Sequence, residues 1–269
     1  MSIFSHFISF PVMRPVLAVS VVLFFCAMLA VGTVAGSPGP EPHRAVLVEL
    51  FTSEGCSSCP PADELLGHLR QDFAAQHIEV IPLGFHVDYW NSLGWKDRFS
   101  TADFSHRQEQ YVRWLHVDGP YTPQLVVNGE REFVGSSADR ARSTIAEAAG
   151  NEQRTQIKIF VSNTDKLNVE ITSASRVEAA GVLLALTEDN LATRVGAGEN
   201  DGRVLHHAAV VRRLQLLGEL QQGRFQASIP FNLHGDWKRD DIRAVVFVQD
   251  KSSGRIQGAA SIPVVNQLR

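Results

Sequence analysis

Two cysteines separated by two residues stand between an apolar run and a helix-like run near the start of this 269-residue chain. Residues 45–51 form the apolar run, Cys56 and Cys59 follow, and residues 62–69 have the composition of a helix. Strand, CxxC and helix in this order is the setting in which two thiols carry out redox chemistry. The start of a helix offers unpaired N–H groups and a partial positive charge, and both stabilise the thiolate that acts as the nucleophile.

The chain has three cysteines, and only one close pair is expected in the mature protein. Cys26 lies in an apolar N-terminal segment that we expect to be removed. A single pair in a chain of this size does not make a disulfide-stapled scaffold, so redox chemistry is the favoured interpretation. A small structural disulfide and part of a metal site remain as alternatives.

Zinc sites with four protein ligands usually show a second CxxC or an HxxxH pair, and the sequence contains neither. The isolated candidate ligands are His86 and the adjacent His206 and His207. The last two would point to opposite sides of a strand and would not bind one ion together. We therefore expect no metal and no cofactor.

The first 35 residues have the pattern of a secretory signal peptide. Arg14 is their only charged residue, residues 16–31 are apolar, and residues 33–35 are small where a signal peptidase reads them. A helix that crosses a membrane needs about 20 apolar residues, so we expect cleavage and no retained membrane span. Residues 36–43 form a proline-containing linker. The sequence thus predicts a periplasmic or secreted protein in an oxidising compartment.

The charge of the chain gives no sign of a nucleic-acid partner. The formal net charge is −4, and loss of the single basic residue of the signal segment makes it −5. No block of basic residues stands out, so we expect no nucleic acid to bind. Protein thiols or disulfides are the expected partners, and the sequence sets no oligomeric state.

Residues 44–150 alternate between strand and helix patterns and are expected to form one domain. The predicted strands are 45–51, 78–85, 124–127 and 132–134, and the predicted helices are 62–76, 104–115 and 137–149. This order predicts parallel strands joined by helices, followed by a hairpin turned at Asn128-Gly129 and a final helix.

Residues 151–269 change to period-2 alternation and are expected to form a second domain. The alternating runs are 156–161, 167–171, 182–186, 204–216, 224–231, 242–249 and 256–262. About seven short strands separated by polar turns predict an antiparallel β-sandwich. We place the boundary at residues 150–152, and we interpret the glycine-bearing stretch 198–202 as a hairpin turn.

Several motifs together resemble the thioredoxin superfamily. They are the CxxC after the first strand, Thr122-Pro123 before a later strand, Asn128-Gly129 in the hairpin and Gly135 after it. Longer strings resemble an uncharacterised secreted family, domain-of-unknown-function family 1223. These strings are residues 49–63, 86–90, 121–124, 198–200, 202–203 and 210–212.

The resemblance implies a fold class and no reaction. The implied fold is an α/β thioredoxin-like N-terminal domain followed by an all-β, antiparallel, sandwich-like C-terminal domain. A cis bond between Thr122 and Pro123 would hold the backbone of Thr122 beside the disulfide, where an extended substrate chain could pair with it. The chain departs from thioredoxin at Ser57-Ser58 between the cysteines, and the buried acid of thioredoxin would fall near Leu50.

Four further residues are candidates for tuning the thiols. Glu49 is one position from the place of the thioredoxin acid, and Glu54 lies just before the CxxC. His86 and Asp88 follow the second predicted strand, and the carboxyl ends of parallel strands lie on one edge of a sheet, where Cys56 also lies. The alternative for residues 86–97, which are rich in aromatic and polar side chains, is a simple cover over the core.

Three functions follow from these patterns. The leading hypothesis is a periplasmic or secreted thiol–disulfide oxidoreductase, in which Cys56 attacks, the less exposed Cys59 resolves the mixed disulfide, and Thr122-Pro123 presents backbone to the substrate. The second is a non-catalytic binding module in which Cys56–Cys59 is a permanent staple. The third is copper handling through the CxxC and a histidine such as His86, although methionine-rich and histidine-rich tracts are absent from the sequence.

Overall fold

One mixed β-sheet contains most of the strand residues in the described part of the chain, and the three α-helices of that part pack on its two faces. The computed structural model describes residues 9, 11, 44–151, 155–162, 166–174, 180–230 and 232–264. The predicted signal segment 1–35, apart from two positions, and the linker 36–43 lie outside the described residues. None of the helices in the described ranges combines the length and the apolar character needed to cross a bilayer.

The elements alternate between strand and helix in the first half and are strands in the second half. The helices are α1 (Pro60–Asp72), α2 (Ala102–Leu115) and α3 (Ala138–Ala149). The strands of the first half are β1 (Arg44–Thr52), β2 (Ile78–His86), β3 (Gln124–Val127) and β4 (Arg131–Val134). The strands of the second half are β5 (Thr155–Ser162), β6 (Lys166–Ser173), β7 (Ala180–Glu188), β8 (Leu191–Arg194), β9 (Val204–His207), β10 (Val210–Glu219), β11 (Arg224–Pro230), β12 (Ile242–Asp250) and β13 (Ile256–Pro263).

The main sheet has eight strands in the order β13-β12-β7-β10-β2-β1-β3-β4. Strands β1 and β2 are parallel, and β3 and β4 continue the sheet as an antiparallel hairpin. Strand β10 joins the free edge of β2 in parallel, with Val210 opposite Gly84 and the Gly84 N–H donating to the carbonyl of Ala209 at 2.8 Å. A three-stranded sheet (β11-β6-β5) and the hairpin β8-β9 complete the described strands.

The predicted fold class is wrong. We expected an α/β thioredoxin-like N-terminal domain and a separate all-β sandwich-like C-terminal domain. Instead, β7, β10, β12 and β13 extend the sheet that β1 and β2 begin, so the protein is mostly β and a single sheet spans both halves. Local patterns identified most strands correctly, but they carry no information on which sheet edge a strand joins. The boundary at residues 150–152 stays a prediction.

The two halves of the chain share one apolar core. One apolar cluster contains Phe85 and Tyr111 from the first half together with Ala185, Val245 and Phe247 from the second. All five side chains are fully buried. Apolar surface of the first half is therefore removed from water by strands of the second half, which stabilises the joint sheet.

Alternation along β1 assigns its side chains to the two faces of the sheet. Val48 and Leu50 pack with α1 and α3, while Leu47 and Phe51 pack on the opposite face with Tyr111 of α2. This period-2 pattern follows from strand geometry. The CxxC turn leaves the end of β1 and leads into α1, so side chains on the α1 face of β1 and β2 lie beneath it.

One predicted strand is interrupted. The run 204–216 forms β9 and β10 separately because Ala209 adopts a positive φ of 52°, which a regular strand excludes. The Ala209 N–H donates to the Asp189 carboxylate at 2.7 Å, which stabilises the break. His206 is exposed and His207 is buried, so the expectation that they face opposite ways is confirmed.

Candidate redox site

The CxxC forms a disulfide at the start of α1. Cys56 and Cys59 are bonded to each other with a Cα–Cα distance of 5.4 Å, and Cys59 is the N-cap residue of the helix. The Cys59 N–H donates to the Cys56 carbonyl at 3.2 Å, which closes a tight turn. Both cysteines are 0% exposed, whereas Ser57 and Ser58 between them are exposed. The expectation that Cys56 is the more exposed of the pair is therefore wrong.

The first turn of α1 offers fewer N–H donors than a standard helix start. Pro60 and Pro61 occupy the first two positions of the helix and have no N–H. The N–H groups of Ala62 and Asp63 both donate to the Cys59 carbonyl, at 2.8 and 3.1 Å. The polar side chain that the structure places at the Cys56 sulfur is Ser58, whose Oγ lies 3.3 Å from Sγ.

The bond between Thr122 and Pro123 is cis, as we predicted. The Pro123 carbonyl accepts the Gly135 N–H at 2.9 Å. A Cβ at Gly135 would lie 2.7 Å from a Leu50 methyl, 3.2 Å from the Cβ of Ala62 and 3.3 Å from that of Pro123. Gly135 therefore lies between the proline loop and the first turn of α1, and the lack of a Cβ at this position permits the close packing.

Trp90 links the proline loop to the approach to the CxxC. Its Nε1 donates to Thr122 Oγ1 at 2.8 Å. A Cβ at Gly55, the residue before Cys56, would lie 3.1 Å from the Trp90 Cβ. The segment after β2 thus contacts both sides of the site, as its position after the second parallel strand predicted.

Five titratable side chains are buried together on the α1 side of the sheet, and we call them the acid–base cluster. They are Glu54, Asp63, His86, Asp97 and His207, and each is more than nine-tenths buried. Glu54 precedes Cys56 by two residues, and Asp63 follows Cys59 by four, which is the spacing of neighbours on one helix face. The cluster therefore lies directly beside the CxxC turn.

The strongest pair in the cluster joins His86 and Asp97. His86 Nδ1 lies 2.6 Å from Asp97 Oδ2. The same carboxylate accepts the N–H groups of Glu54 and Phe99, both at 2.9 Å. Burial opposes the charged form of His86, but the Asp97 carboxylate outweighs it, with help from Asp63 and Glu54, and the pKa of His86 is raised. Burial likewise opposes the charged form of Asp97, but His86 and these N–H donors lower its pKa.

Glu54 and His207 form the second part of the cluster. Burial would raise the pKa of Glu54, but its interactions with His207, Trp95 and Thr193 lower it. Trp95 Nε1 donates to Glu54 Oε2 at 2.8 Å. His207 Nε2 lies 3.3 Å from Glu54 Oε1, an ion-pair distance whose hydrogen-bond geometry is poor. The rings of His86 and His207 meet edge to face at 4.9 Å.

Asp63 differs from the other acids of the cluster. It has no ion-pair partner within 4 Å among the described residues. Burial raises its pKa, although the charges of His207 and His86 and the hydroxyl of Thr52 act in the opposite direction. Asp63 and His207 also line a cleft of about 640 Å³ between α1 and β9. This carboxyl is therefore a group that can take up and release a proton close to Cys59.

A loop from the second half lies on the CxxC turn. We call residues 195–203, between β8 and β9, the cover loop. The carboxamide Nδ2 of Asn200 donates to the carbonyls of Glu54 and Cys56, both at 2.9 Å. The Glu199 carboxylate accepts the Ser57 N–H at 3.0 Å. The cover loop thus engages three backbone groups of the turn.

Two of the predicted tuning residues lie elsewhere. Glu49 is on the opposite face of β1, where Arg107 Nε donates to it at 2.6 Å and the Tyr111 hydroxyl also donates to it. Asp88 accepts a hydrogen bond from the Ser105 hydroxyl at 2.5 Å, at the start of α2. The structure brings Glu54 and His86 into the acid–base cluster but not these two residues.

Sequence reasoning did not assign four residues to this site. Asp63 had a readable signal, since it follows Cys59 at helical spacing, and Asp97 ends the polar segment that begins at His86. His207 was dismissed as half of an unlikely pair, yet it joins the cluster singly. Asn200 had no signal in the residues themselves, because its partners lie 144 and 146 positions earlier in the chain.

Copper or zinc binding has no ready ligand set in the described part of the chain. Within those residues, no group of three or more His, Cys, Asp and Glu side chains is placed so that it could hold a metal ion.

The fold and the site define a mostly β protein with a mixed sheet, a buried CxxC disulfide and an acid–base cluster beside it. The model of a family described as a protein of unknown function (DUF1223) matches residues 47–249. The chain therefore belongs to the DUF1223 family. The comparison with curated proteins found no match.

Two solved structures are similar to this chain. One is the crystal structure of a protein from Agrobacterium tumefaciens, with 26% identity, a TM-score of 0.66, and coverage of 83% of this chain and 96% of that chain. The other is a domain of the outer membrane lipoprotein Omp28 from Porphyromonas gingivalis, with 13% identity, a TM-score of 0.24, and coverage of 40% and 86%. The second TM-score is too low to bear on the fold.

Proposed function

We propose that this protein is a thiol–disulfide oxidoreductase that acts on polypeptide thiols or disulfides in the periplasm or outside the cell. The observation that carries the proposal is the acid–base cluster beside the Cys56–Cys59 disulfide. A disulfide that only staples a turn needs no titratable neighbours, and burying five of them costs folding free energy. Buried groups with perturbed pKa values concentrate at sites of chemistry.

The exchange conserves electrons and protons. A thiolate of a reduced polypeptide attacks Cys56 Sγ, a mixed disulfide forms, and the Cys56–Cys59 bond breaks with Cys59 leaving as a thiolate. A second thiolate of the same polypeptide then attacks its own sulfur in the mixed disulfide and releases Cys56. Two electrons pass from the polypeptide dithiol to the protein disulfide, and the protein pair takes up two protons. The reverse steps reduce a polypeptide disulfide.

Asp63 is the proton partner that fits Cys59. A buried thiolate is unfavourable, and Cys59 has no exposed surface through which water could protonate it. Asp63 lies one helical turn further along α1, and its raised pKa keeps a proton on the carboxyl to higher pH than usual. The cleft beside His207 gives Asp63 a route to exchange that proton with solvent.

Location and substrate are parts of the proposal. The N-terminal residues 1–35 support export, and a disulfide persists most readily in an oxidising compartment. The cis proline loop at Thr122 and Pro123 supports a polypeptide substrate, since Gly135 lies close to both Pro123 and the first turn of α1.

Trapping of mixed disulfides and measurement of the reduction potential of the cysteine pair test the proposal together. Cys59→Ser should accumulate a mixed disulfide with a disulfide-containing polypeptide, because the free Cys56 thiolate attacks that disulfide and the resolving thiol is gone, whereas the matched variant Cys56→Ser should not. The wild-type pair should equilibrate with glutathione. A reduction potential below about −300 mV would mark a permanent staple and end the proposal.

A structural staple is the second candidate, and one observation favours it. Both cysteines are 0% exposed, so no thiol reaches either sulfur in the conformation described. In that case the protein would be a binding module, and Cys59→Ser would lower stability without trapping any partner.

A further inference from the structure

The CxxC turn is held by a part of the chain that is remote in sequence. Asn200 is 0% exposed and uses its carboxamide to bridge the carbonyls of Glu54 and Cys56. Each of these bonds is worth about 0.5–1.5 kcal/mol net, and a buried carbonyl left without a partner costs more. The two contacts therefore favour the conformation in which the cover loop lies on the turn.

Further contacts fix the cover loop in place. Arg203 Nη1 donates to Asn200 Oδ1 at 2.7 Å, which orients the carboxamide so that its N–H groups point at the turn. Glu199 accepts from Ser57, and hydrogen bonds from the Ser57 hydroxyl and N–H lower the pKa of this exposed carboxyl. A Cβ at Gly198 would lie 3.3 Å from the Trp95 Cβ, so the loop also rests against that side chain.

These contacts explain an unusual feature of the site. Ser57 and Ser58 are exposed while the two cysteines that flank them are not. A helix-terminal turn that lies on a protein surface would leave at least one sulfur open to an attacking thiol. Here the cover loop is hydrogen-bonded to the backbone of Glu54, Cys56 and Ser57, next to the two buried sulfurs.

We propose that the cover loop regulates this disulfide: it blocks thiol access while Asn200 is bound to the turn, and exchange occurs only when the loop swings off. This inference rests on the proposed redox function and states how that function is regulated. An opened loop frees two carbonyls and one N–H of the turn, and these are the groups that an extended polypeptide backbone can satisfy. A polypeptide substrate therefore supplies the hydrogen bonds that the turn loses when the cover loop leaves it.

The loop is built so that it can open locally. Gly198 and Gly202 flank the two contact residues Glu199 and Asn200, and both glycines have φ of +78°. A Cβ at Gly202 would meet nothing within 4 Å, so this end of the loop has space to move. Glycines tolerate the φ changes that a hinge needs, and local openings of this kind require far less free energy than global unfolding.

Reduction kinetics of the intact protein test whether the cover loop blocks access to the disulfide. The probe is dithiothreitol or a water-soluble phosphine, and free thiols are counted after rapid alkylation. Asn200→Ala should raise the second-order rate constant roughly ten- to thirty-fold, because opening no longer breaks two net hydrogen bonds. Asn200→Asp should do the same, because its carboxylate repels the two carbonyls. Arg203→Ala should give a smaller rise.

Two control variants show whether a faster reaction comes from the cover loop. Asn168→Ala makes the same substitution in β6, where the carboxamide donates to the Lys166 carbonyl at 3.4 Å and lies outside the site, and it should react like wild type. Trp90→Ala tests whether the aromatic side of the site shields the sulfurs instead. Wild-type rates in both Asn200 variants, or acceleration in Trp90→Ala alone, would overturn the proposal.

The reduction assay tests the role of the cover loop independently of the proposed oxidoreductase function. Small reductants report access to the sulfurs whether or not the protein has a polypeptide substrate. Faster reduction of Asn200→Ala, with no thiol–disulfide exchange between the protein and a polypeptide in either direction, would support the cover loop's role and rule out the oxidoreductase. A rate that rises with urea as steeply as global unfolding does would instead show that access needs unfolding of the whole protein, and the cover would be rejected.

Discussion

Ser58 is the side chain best placed to stabilise a Cys56 thiolate. Its hydroxyl lies 3.3 Å from Sγ in the disulfide, and Pro60 and Pro61 remove the N–H donors that a helix start normally supplies. A hydrogen bond to the charged form lowers a pKa, so Ser58→Ala should raise the Cys56 thiol pKa by about one unit. Thiolate absorbance against pH measures this shift.

The adjacent serine is the natural control for this prediction. Ser57→Ala removes a hydroxyl that faces Glu199 instead of the sulfur, so it should change the Cys56 pKa less than Ser58→Ala. Equal shifts in the two variants would mean that general exposure of the turn, and not the Ser58 hydroxyl, sets the thiol pKa.

The ion pair between His86 and Asp97 should make stability depend on pH. The folded pKa of His86 lies above its ordinary value of 6.5, so the contribution of the pair is fully present below about pH 6.5 and is lost as pH rises through the folded pKa. The folded pKa of Asp97 is lowered, so its contribution is lost as pH falls through that value. Asp97→Asn should reduce the free energy of unfolding by about 3 kcal/mol near pH 6.

Urea denaturation from pH 5 to pH 9 measures this effect. The difference between wild type and Asp97→Asn should shrink as pH rises through the folded pKa of His86. Asp88→Asn is a matched control in the same segment, since the Asp88 carboxylate binds Ser105 and no histidine. A pH-independent difference for Asp97→Asn would show that His86 is not charged in the folded protein.

At the scale of single residues, the sequence predicted reactive groups better than their partners. The Cys56–Cys59 pair and the place of His86 at the CxxC edge of the sheet followed from order and spacing. The cis bond at Pro123 is what the resemblance to the thioredoxin superfamily implied. Glu49 was proposed for tuning the thiols because it is one position from the place where the buried acid of thioredoxin would fall. Strand alternation sends it to the other face, where Arg107 binds it.

Helix α2 is connected to the sheet by a buried charge network. Arg107 is 5% exposed and binds Glu49 of β1 as well as Gln249 of β12, the latter at 3.1 Å. Arg107→Ala would leave the Glu49 carboxylate buried without its cation, which should cost about 3–5 kcal/mol of folding free energy. The double variant Glu49→Leu with Arg107→Met should recover most of this loss.

Chemical denaturation and thiol titration check this network together. Glu49→Gln should leave the Cys56 thiol pKa unchanged, because the sheet separates the network from the CxxC turn. A shifted thiol pKa in Glu49→Gln would restore Glu49 as a tuning residue. A double variant no more stable than Arg107→Ala would show that the network itself, and not the unpaired charge, stabilises α2.

At the scale of elements, most boundaries could be read from local patterns because hydrophobic periodicity reports local structure. The predicted helix 104–115 is close to α2 (Ala102–Leu115), and the predicted strand 124–127 is β3. Residues 198–202 were predicted as a hairpin turn and do join β8 to β9. Their contact with the CxxC turn was not predictable, since two hydrogen bonds across more than 140 positions leave no periodic pattern.

The pairing of β10 with β2 decides the architecture of the whole molecule. Its backbone contact is short, Val210 opposite Gly84, yet it joins two sets of strands into one sheet. Phe85 and Tyr111 then lie in the same core as Val245 and Phe247. The predicted fold class treated the two sets as separate sheets, whereas β10 joins them at the edge of β2.

The shared core predicts that the first half does not fold alone. A chain of residues 44–151 would expose the edge of β2 and the part of Phe85 that the second half covers. We expect no cooperative urea transition by circular dichroism and strong binding of a dye specific for exposed apolar surface. The chain of residues 44–269 is the control and should unfold cooperatively. A fragment with its own cooperative transition would instead make the boundary at residues 150–152 a true domain boundary, because β1, β2 and the three helices would then bury enough apolar surface without β7, β10 and β12.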